Sequence, residues 1–172
     1  MNNSTRVVVT GLGMLSPVGN DVPASWSAIR DGQSGISPIT LFDATNFDTR
    51  FAGEVKNFDP LNFIDKKEAR RMDRFVHFAI AATKEALDDS GYSITPQNAE
   101  RTAVVIGTGI GGVTLFSEQI NTLQTKGPSR VNPFFIAAVL VDTASGQVAI
   151  TYGAKGVNMA VVSACATGGN AI

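Results

Sequence analysis

The chain holds one cysteine and one histidine, so any nucleophilic chemistry converges on very few atoms. Cys165 follows the apolar run Met159-Ala160-Val161-Val162-Ser163. It sits between Ala164 and Ala166, with Gly168-Gly169 just beyond. Such a run reads as a strand, and small residues after it suit a sharp strand-to-helix turn, where larger side chains would clash. The turn would lift the sulfur above the sheet edge. N–H groups at the start of the next helix would favour a thiolate and could cradle an oxyanion. A buried, inert thiol fits the same residues, because free cysteine is commonly buried.

A second pattern is Gly107-Thr108-Gly109-Ile110-Gly111-Gly112. It satisfies G-x-G-x-x-G between a strand and a helix, the arrangement that seats a dinucleotide pyrophosphate. The acidic residue that should follow about 20 positions on is missing from Lys126-Gly127-Pro128-Ser129-Arg130-Val131-Asn132. The competing reading is a loop that lets backbone or substrate approach closely. Gly11-Leu12-Gly13-Met14-Leu15-Ser16 is a weaker version of the pattern. His77 lies mid-helix between Val76 and Phe78. It could serve a Cys–His pair only if brought beside Cys165, and a packed helix histidine is the alternative.

The elements that must hold these residues follow from pattern. Arg6-Val7-Val8-Val9-Thr10 and Arg101 to Gly107 are β-branched runs expected to be buried strands. Val157 to Ser163 is a third. Ser25 to Asp31 reads as a short helix stopped by Gly32. Residues 33 to 63 read as loop, with one short strand near Phe51 to Val55. Lys66 to Ser90 has apolar residues at helical spacing, Asp65 as N-cap, Glu68 completing a capping-box-like pair, and Gly91 as the stop. Its first half carries Lys66, Lys67, Arg70, Arg71 and Arg74, either a solvated face or a patch for an acidic partner. A helix from Gly111 or Gly112 to Lys126 ends at Gly127-Pro128. Another, from Pro133 to Tyr152, is nearly apolar all round and is expected to be buried. Strands alternating with helices define an α/β layer fold.

Composition excludes several classes. With 172 residues, 44% hydrophobic and 17 Gly, the chain suits one globular domain rather than disorder. One Cys rules out an intramolecular disulfide framework, and one His rules out a His cluster for a metal. Lys+Arg of 14 against Asp+Glu of 15 leaves a net charge of −1, with no basic field for nucleic acid. The polar opening to Arg6 is too short for a signal peptide, and no run reaches the ~18 apolar residues of a membrane span. A soluble, cytoplasmic setting is the expectation.

Five segments together resemble the amino-terminal half of the elongating β-ketoacyl-acyl carrier protein synthases, type II. They are Arg6 to Gly13 with Ser16-Pro17-Val18-Gly19; Arg70-Arg71-Met72-Asp73-Arg74-Phe75; Gly107 to Gly112; Asn132-Pro133-Phe134-Phe135; and Ser163-Ala164-Cys165-Ala166-Thr167-Gly168. They occur in the family's order and span essentially the whole chain. The resemblance implies a thiolase-like α/β fold, a mixed sheet with helices on both faces, of which residues 1–172 form the N-terminal half, stopping just after the nucleophile turn. It implies that Cys165 accepts an acyl group as a thioester from acyl carrier protein, the second substrate being malonyl on the same carrier. Both are held on phosphopantetheine, with no separately bound cofactor and no metal. Ile110 and Phe135 would shape the acyl pocket, Phe135 across a homodimer interface, and Arg70, Arg71 and Arg74 would meet the carrier protein unless they make internal ion pairs.

Two departures stand out. The family's usual Asn-Met-x-x-Gly is Asp142-Thr143-Ala144-Ser145-Gly146 here, and an Asp in a buried interface needs a partner. The family's two catalytic His residues, a Lys, the pantetheine-binding threonines and a Gly/Phe oxyanion loop have no matching position. The expectation is that this chain accepts an acyl group but does not complete condensation alone. It would then be an incomplete enzyme or a module pairing with a second half.

Overall fold

The computed structural model describes residues 6–172. They divide into two compact units: the chain up to Asp59 with Ala82–Tyr92, and Pro60–Ala81 with Ser93–Ile172.

In the first unit, α1 spans Val22–Arg30. Asp21 caps it, its carboxylate accepting the Ala24 N–H at 2.7 Å. Gly32, at φ +69°, turns the chain away in the left-handed region. β1 (Ile36–Pro38) and β2 (Phe51–Gly53) form an antiparallel pair, with Ile36 opposite Gly53. Glu54 is buried just past β2 and accepts from Thr40 N (2.9 Å), Thr40 Oγ1 (2.6 Å) and Leu41 N (3.2 Å). These bonds, the Thr40 hydroxyl first, hold its carboxyl below the ordinary range.

The strand expected over residues 6–10 does not form among the described residues, and Val7 is 92% exposed. A strand needs a neighbour to complete its ladder, and the chain here is anchored otherwise. Leu12 N donates to Asp89 at 2.9 Å, and Met14 N donates to Glu85 at 2.8 Å. Glu85 also accepts from Val22 N at 2.6 Å. A Cβ at Gly13 would lie 1.9 Å from the Ala82 carbonyl oxygen, so this approach demands glycine.

In the second unit, the single helix expected from Lys66 is two: α2 (Lys66–Ala69) and α3 (Arg74–Ser90). Asp65 makes no side-chain cap. The break belongs to Asp73, 6% exposed, whose carboxylate bonds Phe75 N at 3.4 Å and whose carbonyl bonds Val76 N at 3.0 Å. A side chain that competes for backbone N–H groups restarts the helix there. β3 (Val104–Gly107) and β4 (Asn158–Val161) pair in parallel, Val104 beside Asn158 and Gly107 beside Val161. Between them lie α4 (Val113–Lys126), α5 (Phe135–Val139) and α6 (Thr143–Tyr152).

The apolar helix expected over 133–152 is likewise divided. Thr143 Oγ1 turns back to the Ala137 carbonyl at 2.8 Å, and Asp142 lies exposed at the corner rather than buried. The core is Val76 and Ile80 from α3 against Ala144 and Val148 from α6, flanked by Val104, Ile106 and Tyr152. Tyr152 donates its hydroxyl to the Ile80 carbonyl at 2.8 Å. Ser145, fully buried on α6, exchanges two hydrogen bonds with Asn158 of β4, at 3.0 and 2.8 Å. This exchange fixes the helix on the sheet without leaving either polar group unpaired.

Candidate active site

β4 delivers the chain to the turn that carries Cys165. Ser163 leads into a 3-10 turn over Ala164–Ala166, followed by α7 (Thr167–Ala171). Ala164 stands at φ +50°. An L-residue in that region costs roughly 1–2 kcal/mol, so the surroundings must hold it. Three bonds do so. The buried Thr167 hydroxyl accepts the Ser163 N–H at 2.9 Å, the Ala166 N–H meets the Ser163 carbonyl at 3.1 Å, and Asn170 donates to Ser163 Oγ at 2.7 Å. Cys165 is a free, exposed thiol at the crest of this turn. That excludes the buried-thiol reading and agrees with the sharp strand-to-helix turn expected from its small neighbours.

The glycine-rich loop runs from β3 to α4 and does not present a phosphate cradle. A Cβ at Gly107 would lie 2.2 Å from the Thr167 methyl carbon. Cβ atoms at Gly111 and Gly112 would lie 2.6 and 2.8 Å from the backbone of Val139. Gly111 N donates to Thr108 Oγ1 (3.1 Å) and Gly112 N to the Val139 carbonyl (3.1 Å). The Gly111 and Gly112 amides are engaged within the protein, and Gly107, Gly111 and Gly112 serve close approach of neighbouring atoms.

Ile110 projects from this loop, 73% exposed. With Gly112, Val113, Phe116, Val139, Leu140 and Val141 it lines an apolar groove of about 500 Å3. Phe135 does not line the groove itself. Its ring packs on Phe116, centroids 5.6 Å apart, so the two aromatics brace one wall. Gln119 ties the same helix to the approach to α5, accepting Asn132 N at 2.7 Å. Gly107 abuts Thr167, two residues past Cys165. Consecutive Cα atoms are 3.8 Å apart, so the Ile110 Cα lies within about 11 Å of that contact.

His77 is held apart from this turn's hydrogen bonds. Its Nε2–H donates to the Ala69 carbonyl at 2.9 Å, and burial lowers its pKa below the usual 6.5. The basic cluster is divided. Arg71 pairs with Glu68 at 3.1 Å and lies 4.7 Å above the Phe134 ring, Arg74 lies 4.8 Å above the Phe78 ring, and Arg70 is exposed. Arg71 and Arg74 thus have internal work, and Arg70 presents the freest surface. Sequence reasoning passed over Phe116 and Asn170, and it named Asp73, Ser163 and Thr167 only within longer motifs, with no role of their own. Ser163 and Thr167 stood in the motif around Cys165, and Asp73 was a helix-capping residue type within a helical pattern that already had a cap candidate in Asp65.

Residues 4–172 match the family model for the beta-ketoacyl synthase N-terminal domain. The chain is 53% identical over 163 residues to 3-oxoacyl-[acyl-carrier-protein] synthase 2 of Vibrio harveyi, covering 95% of this chain and 39% of that protein. It is 50% identical over 167 residues to the protein of the same name from Synechocystis, covering 97% and 40%. The chain therefore spans about two-fifths of the length of these relatives. Among solved structures, the ishigamide ketosynthase/chain length factor superposes with a TM-score of 0.79 at 29% identity, over 90% of this chain and 39% of that one. A beta-ketoacyl synthase from Burkholderia phymatum gives 0.78 at 24% identity, over 97% and 41%. The fold is thiolase-like. The chain belongs to the beta-ketoacyl synthase family and carries its N-terminal domain.

Proposed function

We propose that this chain is the acyl-accepting part of a 3-oxoacyl-[acyl-carrier-protein] synthase, with Cys165 as the nucleophile. The observation that carries the reading is an exposed thiol on a strained turn, clamped by Ser163, Thr167 and Asn170, on a loop partner that leads to an apolar groove. In the step supported, Cys165 Sγ attacks the carbonyl of an acyl thioester. The Sγ–C bond forms, the pantetheine S–C bond breaks, and the pantetheine thiol leaves with the proton. Ile110 takes the acyl chain in the groove, and Phe135 holds Phe116 against it. Family membership and identity near one half with two proteins of this name support the substrate class.

Acyl and malonyl groups on acyl carrier protein are the substrates in this reading, and Arg70, with Arg71 and Arg74 behind it, faces the acidic carrier. A homodimer is part of the same proposal, as is residence in the cytoplasm. No helix among the described residues is long and apolar enough to cross a membrane. Decarboxylation of the malonyl donor needs hydrogen-bond donors at a developing enolate. His77 is committed to Ala69, so these residues account for acyl acceptance and not for the condensation. The test is intact-mass measurement after incubation with octanoyl-acyl carrier protein. One acyl mass on Cys165, absent from Cys165→Ala, is expected. An unmodified folded chain overturns the reading.

A further inference from the structure

One buried carboxylate joins two helix starts. Asp73 lies between α2 and α3, 6% exposed. One of its oxygens accepts the Phe75 N–H at the start of α3, at 3.4 Å. The other accepts the Leu115 N–H in the first turn of α4, at 2.7 Å and 42 residues away in sequence. α4 has Gly112 as its own N-cap residue, which has no side chain to offer, so its orphan N–H groups need an outside acceptor. A carboxylate is the strongest acceptor for that position, through both its hydrogen bond and the helix dipole.

The tie acts on the groove. Val113 and Phe116, which line it, flank Leu115 in the same turn. Gly112 sits so close that a Cβ there would lie 3.1 Å from the Asp73 Cβ. Moving Leu115 therefore moves both a groove wall and the end of the glycine loop that bears Ile110. We propose that Asp73 is a positioning residue that sets the length selectivity of the acyl groove by capping α4 from α3. This rests on the reading of Cys165 as acyl acceptor. Asp73 touches neither the thiol nor the groove contents. Its effect should appear in which acyl chains are accepted more than in whether any is.

The experiment compares the full chain with Asp73→Asn and Asp73→Ala, each checked for fold by circular dichroism. Cys165 acylation rates are read by intact mass with acetyl- and dodecanoyl-pantetheine. Asp73→Ala should lower the dodecanoyl-to-acetyl rate ratio at least 5-fold, with the acetyl rate kept within 2-fold. Asp73→Asn, which keeps one acceptor oxygen, should recover at least half of that loss. A second readout, hydrogen exchange at the Leu115 amide, should quicken at least 10-fold in Asp73→Ala. If the wild-type chain is not acylated, the acyl-acceptor reading fails, and the exchange result still decides the cap. An unchanged length ratio in folded, acylated Asp73→Ala overturns the selectivity role. Unchanged Leu115 exchange overturns the cap. If neither variant folds, Leu115→Pro, which removes the N–H that Asp73 accepts together with the leucine side chain, is measured against Leu115→Ala, which keeps that N–H, and an unchanged length ratio between the two overturns the proposal.

Discussion

Ala164 carries the backbone strain that the nucleophile turn requires. Its φ of +50° is a conformation glycine adopts freely and a branched residue resists. Ala164→Gly should leave the fold unchanged or raise stability by up to about 1 kcal/mol, since it removes the steric cost but adds freedom to the unfolded chain. Ala164→Val should destabilise by about 1–3 kcal/mol and slow Cys165 acylation by shifting the crest. Chemical denaturation with and without the acylation readout separates the two effects. If Ala164→Gly accelerated unfolding, the turn would not be the strained element described here. At this scale the sequence was generous about identity and silent about geometry. Small residues around Cys165 announced a tight turn. That the left-handed residue is Ala164, and that Thr167 and Asn170 hold it, depends on contacts across four to seven positions that no periodicity encodes.

Among the elements, Thr167 is where strand, turn and loop meet. Its hydroxyl accepts Ser163 N, and its methyl fills the space a Cβ on Gly107 would need. Thr167→Val keeps the methyl and removes the acceptor, leaving the Ser163 N–H unpaired, at a cost of about 1–3 kcal/mol. Gly107→Ala does the opposite, keeping the bond and forcing a 2.2 Å contact apart. Both should lower the melting temperature. Acylation should suffer more from Thr167→Val, which loosens the turn itself. Equal losses in the two variants would mean that the clamp is packing alone. Element positions were largely legible from pattern: α1, α4, β2, β3 and β4 fall where apolar spacing and glycine stops put them. β1 forms inside a stretch expected to be loop, and two other misses share one cause. Lys66 to Ser90 and Pro133 to Tyr152 are each broken where a polar side chain takes a backbone partner, Asp73 in one and Thr143 in the other. A helical pattern continues through such residues although the helix does not. Val7, Val8 and Val9 have strand composition without a strand beside them, because pairing is a property of the neighbour.

For the whole molecule, acid is the informative perturbation. Burial lowers the pKa of His77 below 6.5, so the folded chain binds a proton there less readily than the unfolded chain. The stabilisation is complete above that ordinary value and is lost as pH falls through the lowered one. Glu54 is held below its ordinary 4.5 by Thr40, and Asp43 below 3.8 by the Thr45 hydroxyl. Their contributions persist at neutral pH and disappear only at lower pH. Melting temperature should therefore fall in two stages on acidification, the first beginning below about 6.5. His77→Gln should remove the first stage, and Glu54→Gln should flatten the second. A single-stage profile unaltered by either substitution would contradict these assignments.

The glycine seam gives the groove one stiff side and one compliant side. At Gly111 and Gly112 backbone meets backbone of Val139 with no side chain between, so there is no soft layer to compress and no rotamer to change. Elsewhere the lining is made of side chains, among them the exposed Ile110, Val113 and Leu140 and the ring of Phe116, which packs on Phe135. Accommodation of bulkier or shorter guests thus falls to these side chains rather than to the seam. The groove works as a fixed rail facing adjustable side chains, and those side chains are the place to retune it without disturbing the rail.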